Sequence, residues 1–192
     1  MIAINNYFLA EGTEARQIND GQQPKRSRIQ YINLKDGQFV CGYILTTDFK
    51  MYICHDDYSK KIKQHICKNP KDRPDMNCLS CIHNVKREKR TIVPFFNVDT
   101  QQVEILAAKT NIMRIIYAFI DEYDDEAMTT PVVLSRSGTA KDTRYTIMPA
   151  RVKPAEQLLF EKPMDIMLDN KFYQNILVIP EDDYIRKLLG IQ

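Results

Sequence analysis

The sequence predicts a mainly β domain. It would be a small barrel of short strands with one helix, an inserted loop subdomain built on metal-ligating residues, and a short α-helical C-terminal tail. Three observations predict it. Apolar residues alternate over short runs bounded by turn signals, as at Phe39, Cys41, Tyr43 and Leu45. A single central segment, "NIMRIIYAFIDEYDDE", carries apolar residues at helical spacing, at Ile112, Ile115, Ile116, Phe119 and Ile120. Residues 54–83 hold four of the five cysteines and all three histidines.

The elements follow in order. Residues 1–27 read as an N-terminal arm: polar, weakly patterned, and ending in the basic knot "PKRSR". Residues 28–150 read as the domain. Ile29, Tyr31 and Leu34 suggest a first strand, and Lys35-Asp36-Gly37 is a tight-turn signal before a second strand at Phe39–Leu45. "KMYICH" suggests a third strand. The irregular stretch that follows, within an insertion at about 55–90, is too long for an ordinary loop unless something other than a core orders it. "TIVPFFNVDTQQVEILAAKT" reads as a hairpin turning at Asp99–Gln102, and "TTPVVLSRSGTAKDTRYTIMPA" as a last hairpin turning near Ser137-Gly138. Several short strands at close spacing favour a barrel, which leaves no exposed edges. Residues 151–192 form a C-terminal extension. There "KPAEQLLFEKP" suggests a short helix, "NILVIP" a short strand, and "PEDDYIRKLLG" a helix with Pro180 near its start and Gly190 near its end.

The bulk numbers set limits. A chain of 192 residues, 44% hydrophobic with a mean hydropathy of −0.40, reads as globular and is most simply one domain with an arm and a tail. No run of about 18 apolar residues occurs, so no membrane span is expected. "MIAINNYFLAEG" lacks a basic n-region and a long apolar h-region, so no secretory signal is expected and the cytoplasm is the expected location. Thiols stay reduced there, which favours metal ligation over disulfides. The net charge of +2 is uneven: residues 25–91 carry fifteen Lys/Arg against seven Asp/Glu. That basic third holds the ligand cluster and suits a local anionic partner; its plainer use is a solvated face.

Cys78-Leu79-Ser80-Cys81 is a C-x2-C pair, a spacing that lets both thiolates reach one ion from a single turn. Cys67 lies eleven residues upstream and His55 twelve before that. Together these match a closed Cys3His site for one structural Zn2+, with His65 or His83 as alternative histidines. Such an ion would organise the long loop in place of a core. Cys54, next to His55 on a strand, would point to the other face and into the core. Catalytic zinc patterns are absent. No histidine is followed by Glu two residues on, and neither H-E-x-x-H, a phosphate-binding G-x-x-x-x-G-K-[ST] loop nor a G-x-S-x-G elbow occurs. "DEYDDE" is either a divalent-ion site or, more simply, a solvated helix end. The chain therefore does not read as an enzyme.

Cations interleave with aromatic rings in four places, which is what single-stranded nucleic acid requires: charges for phosphates and flat faces for unpaired bases. The candidate contacts are Arg28 and Tyr31, Tyr43, Tyr58 with Lys60, Lys61 and Lys63, then Arg87, Lys89, Arg90 and Phe96, and finally Arg144 and Tyr145. Phe95 and Phe96 are adjacent, so on a strand only one of them is expected to face the core.

The order His55, Cys67, Cys78, Cys81, set among "LKDGQFV", "FFNVDTQQVEIL" and "DTRYTIMPA", resembles the zinc-containing single-stranded-DNA-binding proteins of tailed bacteriophages over roughly residues 28–150. The resemblance implies an OB-fold core with DNA in a basic, aromatic-lined cleft beside the zinc lobe. It also implies a replication and recombination role in the host cytoplasm, coating strands without sequence preference. Such proteins often end in a strongly acidic tail, whereas this chain ends "IRKLLGIQ". Tyr184, Ile185, Leu188 and Leu189 are therefore expected to dock on another protein, such as a replication or recombination protein, and the basic knot to support self-association. The alternative is a zinc-bearing OB-fold interaction module that recruits or inhibits replication or transcription machinery.

Overall fold

The computed structural model describes residues 30–57, 62–69, 77–150 and 168–191. Within them the chain runs β1 (Gln30–Tyr31), β2 (Phe39–Ile44), β3 (Lys50–Asp57), β4 (Ile62–Ile66), α1 (Leu79–Ile82), β5 (Arg87–Asn97), β6 (Gln102–Ala108), α2 (Thr110–Tyr123), β7 (Val132–Ser137), β8 (Arg144–Pro149), α3 (Asn170–Ile176) and α4 (Asp182–Leu189). The protein is mainly β. The arm at 1–27 and the helix expected at 153–163 lie outside the described residues.

The long strand β5 organises one mixed sheet. β6 pairs along one edge, from Thr91↔Ala108 to Asn97↔Gln102. The other edge is shared: β3 takes residues 87–92 and β2 takes residues 95–97. Pro94 falls at the handover, where a missing N–H costs no ladder bond, and its carbonyl accepts from the Leu45 N–H at 3.1 Å. Beyond β2 the order continues to β7 and β8, and β4 hangs from β3.

The barrel expected from the strand spacing is not closed. Among the described strands, β1 and β8 end the path, each with one partner. The Lys35-Asp36-Gly37 turn forms, with Gln38 N–H donating to the Lys35 carbonyl at 3.1 Å, but it does not make a hairpin of β1 and β2. β1 instead pairs parallel with β6, Gln30↔Glu104 and Tyr31↔Ile105. The turn is held from elsewhere: Gly37 N–H donates to Arg136 O at 3.0 Å, Arg136 N–H to Gln38 O at 2.9 Å, and Gly138 N–H to Asp36 Oδ1 at 2.7 Å. A turn signal fixes the local bend; these long-range bonds decide which strand lies beside it.

Each face of the sheet carries a buried core. On one, Ile44, Val93, Phe95 and Leu106 pack under Ile112, Met113, Ile116 and Phe119 of α2. On the other, Tyr52, Cys54, Ile92 and Ile105 pack against Tyr173 and Ile176 of α3. Consecutive apolar residues in β5 demand this second cover. Phe95 and Phe96 point to opposite faces and both are buried, so the expectation that only one would be buried fails. Within the C-terminal extension, α3 is therefore packed against the sheet. Residues 175–180, expected as a strand, instead finish α3 and run on without regular structure. α4 ends as expected, at Gly190 with φ 68°, where Ile191 N–H donates to Arg186 O at 3.0 Å.

Candidate functional site

β3 alternates sides as a strand must. Tyr52 and Cys54 face the second core, while Ile53 and His55 face a separate cluster with Cys67, Cys78 and Cys81. Cys67 follows β4 directly, and its N–H donates to the Ile53 carbonyl at 2.9 Å. Cys78 and Cys81 bracket the start of α1. The helix lasts little more than one turn because Asn84 takes a left-handed conformation (φ 52°). There Val85 N–H donates to Ser80 O at 2.9 Å and Asn84 N–H to Cys81 O at 3.0 Å, the paired bonds of a Schellman end.

These elements bring one imidazole nitrogen and three sulphurs together, all within 4.8 Å of one another and all buried. The Cys67 sulphur lies 3.8 Å from that of Cys78 and 3.7 Å from that of Cys81. His55 Nε2 lies 3.4 Å from the Cys78 sulphur and 3.6 Å from that of Cys81. Disulfide-bonded sulphurs would sit about 2.05 Å apart, so these cysteines are not paired. A tetrahedral ion with Zn–S of about 2.3 Å and Zn–N of about 2.05 Å has edges of about 3.8 and about 3.5 Å. The donor set therefore fits a four-coordinate metal.

The protonation states suit ligation. His55 Nδ1 is 3.1 Å from the Val85 carbonyl oxygen. A carbonyl only accepts, so Nδ1 carries the proton and Nε2 turns a lone pair toward the sulphurs. Burial pushes the imidazole pKa down and keeps the ring neutral. Burial opposes a thiolate at Cys78, but N–H groups of Cys81 and Lys68 and the Cys81 and Cys67 thiols donate to it, and its pKa falls below the ordinary thiol value.

The other histidines are elsewhere engaged or exposed. His65 stacks on His55 at 5.3 Å, but its Nε2 meets the Ser80 hydroxyl at 2.7 Å and its Nδ1 the Lys63 carbonyl at 2.9 Å. His83 is exposed beyond α1. Cys54 lies on the opposite face, donating weakly to Glu88 O at 3.6 Å, and burial pushes its thiol pKa up. Cys41 is half-buried against Tyr43 and Phe96.

Beside this lobe lies a cleft of about 1410 Å³. Tyr31, Tyr52, Tyr145 and Tyr184 line it, with Arg90, Lys109 and Arg136, and Gln64 and His65 carry the lining to the metal lobe. The volume exceeds the several hundred Å³ typical of a small-molecule pocket. Tyr52 and Arg90 are cross-strand neighbours, and Gln64 Nε2 donates to the Tyr52 hydroxyl at 3.3 Å. Arg90 also donates to Asp56 at 3.2 Å and to Glu88 at 2.9 Å, so part of its charge is spent within the protein.

The sequence-predicted contacts separate into groups. Tyr31, Arg90 and Tyr145 meet in the cleft. Lys63 on β4, Lys89 on β5 and Arg144 on β8 are exposed outside its lining, and Arg87 is half-buried, donating to the Asn69 carbonyl at 3.3 Å. Tyr43 and Phe96 require correction: they are directly paired between β2 and β5, only 6% and 2% exposed, and present no free ring face. Arg28, Tyr58, Lys60 and Lys61 lie outside the described residues. Tyr52, Lys109 and Tyr184 line the cleft without having been expected there. Tyr52 sits within a predicted strand, where alternation could have placed it beside Cys54, but nothing local marks Lys109 or Tyr184.

Comparison of this chain with known protein families, with characterised proteins and with solved structures gives no match. Among the described residues no helix is long and apolar enough to cross a membrane.

Proposed function

We propose that this protein binds single-stranded nucleic acid, DNA in the first instance, without sequence preference, and that one structural Zn2+ held by His55, Cys67, Cys78 and Cys81 shapes the lobe beside the binding cleft. The cleft carries the reading: the rings of Tyr31, Tyr145 and Tyr184, with the buried Tyr52 behind them, and three cations line a groove larger than a small ligand needs. Rings stack on any base and cations neutralise any phosphate, so such a lining favours affinity over sequence choice. Three thiolates and one imidazole are the usual donors of a structural zinc site, and a full set of four protein ligands leaves no position for substrate, in keeping with a binding rather than a catalytic role. On this reading the sheet is an OB-like platform, and the protein serves replication and recombination in the cytoplasm of a bacterial host.

The test is a titration with labelled thymidine oligonucleotides at several salt concentrations, with duplex as competitor. Binding should weaken steeply as salt rises, and duplex should compete poorly. Equal affinity for duplex, or no dependence on salt, would overturn the reading. Metal analysis of the purified protein should return one zinc per chain.

A second reading, a protein-interaction module acting through the C-terminal extension, has one observation on its side. Val178 and Ile179 stand 68% and 54% exposed between α3 and α4. No oligonucleotide binding by the intact protein, together with a partner lost on removing residues 177–192, would favour it.

A further inference from the structure

The C-terminal extension reaches the cleft by way of the metal lobe. After α3 has covered the second face of the sheet, α4 packs on α1 and β4. Ile185 is buried and Lys68 Nζ donates to Asp182 at 2.6 Å. Leu188 and Leu189 face Ile62, His83 and Val85. Lys68 follows the ligand Cys67, and His83 and Val85 follow the ligand Cys81, so α4 is seated on chain that the donor set shapes. From that seat Tyr184 stands 49% exposed on the cleft, which Val178 and Pro180 also line.

We infer that α4 is a working wall of the cleft and that Tyr184 stacks on a base of the bound strand, a conclusion that rests on the single-strand reading above. The charge distribution fixes which side of the strand meets this wall. Glu181, Asp182 and Asp183 crowd the start of α4, where phosphates would be repelled. A tyrosine ring is neutral and accepts any base. The cations of the cleft come from other elements: Arg90 of β5 is paired with Asp56 and Glu88, Lys109, also 3.0 Å from Glu88 but half exposed, precedes α2, and Arg136 belongs to β7. The strand therefore lies with bases toward Tyr184 and phosphates toward Lys109 and Arg136. The apolar residues of α4, expected from sequence to dock on another protein, dock within their own chain and bring Tyr184 to the groove.

The chain contains no tryptophan, so Tyr184→Trp in the full-length protein provides a single reporter. Its emission should be quenched by (dT)n and left unchanged by duplex, with (rU)n as a parallel arm that separates DNA from RNA as the strand held. Tyr184→Ala should weaken oligonucleotide binding about tenfold without changing its salt dependence, and Tyr184→Phe should restore it. Lys109→Ala should instead reduce the salt slope by about one. Unquenched tryptophan with Tyr184→Ala binding as well as or more tightly than the parent, while the parent binds normally, would overturn the inference and mark α4 as a bystander or an obstruction. Failure of the parent to bind either oligonucleotide would remove the single-strand reading and this inference with it.

Discussion

His55 Nδ1 lies 3.1 Å from the carbonyl oxygen of Val85, thirty residues along the chain. That bond fixes the tautomer of the ring and aims Nε2 at the Cys78 and Cys81 sulphurs. His55→Ala should lower metal affinity by at least tenfold to a hundredfold, while His55→Cys should keep metal in a four-thiolate site. Treating the parent with a chelator should have a large effect, because among the described residues the donor cluster itself holds one buried apolar side chain, Ile53. A metal present at 1,000 times its dissociation constant contributes about 4 kcal/mol, or roughly 8–16 °C in Tm for a chain of this size. A calorimetric scan that chelator leaves unchanged would exclude a structural metal.

Asn84 is what delivers Val85 to His55. Its φ of 52° is a conformation that Asn and Gly tolerate and β-branched residues resist. Asn84→Val should cost about 1–2 kcal/mol and weaken metal binding with it. Asn84→Gly should stay close to the parent. Competition against a chromophoric chelator, alongside urea melts, reads both quantities.

Phe96 behaves as core. A Cβ at Gly42 would overlap the Phe96 carbonyl, so the two strands meet with no room to spare at this point. Phe96→Ala should lose about 3–5 kcal/mol of stability. Gly42→Ala should prevent folding or displace β2. Oligonucleotide affinity per folded molecule should be unaffected by Phe96→Ala, because its ring is inside. A folded, stable Phe96→Ala protein with lost binding would return this ring to the interface.

Glu88 links stability to pH. Burial works against its charge, but Lys86 Nζ at 2.8 Å, Lys109 Nζ at 3.0 Å and Arg90 at 2.9 Å outweigh it and push its pKa down from 4.5 to about 2. A folded-state pKa below the unfolded one means stability that is present above about pH 4.5 and lost as pH falls toward 2. Glu88→Gln should therefore be less stable than the parent at neutral pH, and the gap should close across that window. Urea midpoints for both proteins between pH 3 and 7 test this; a gap that stays constant would remove Glu88 as its source.

Local chemistry carried much of this protein's reading. Cys67, Cys78 and Cys81 were legible because thiols so concentrated in a polar, charged stretch have few other uses, and residues 110–123 because their apolar spacing is helical. Gly190 stopped α4 where a left-handed residue was needed. His55 was only half legible: spacing allowed three histidines, and the choice fell to the side on which β3 presents residue 55 and to the carbonyl of Val85.

The tertiary structure alone decided what lay beside what. β1 runs along β6, and the sheet of described strands stays unclosed, because the turn at 35–37 is bonded to β7 and the loop that follows it. Tyr43 and Phe96 pair inside the protein, although each is a plausible surface ring from its neighbours in sequence. Tyr31, Tyr52, Tyr145 and Tyr184 share one cleft while spanning more than one hundred and fifty positions. Side-chain period and backbone conformation are set within a few residues and can be read there. Strand partners, the covering of a second sheet face and the lining of a groove are settled by which distant surfaces bury one another best, and no short stretch of sequence contains that competition.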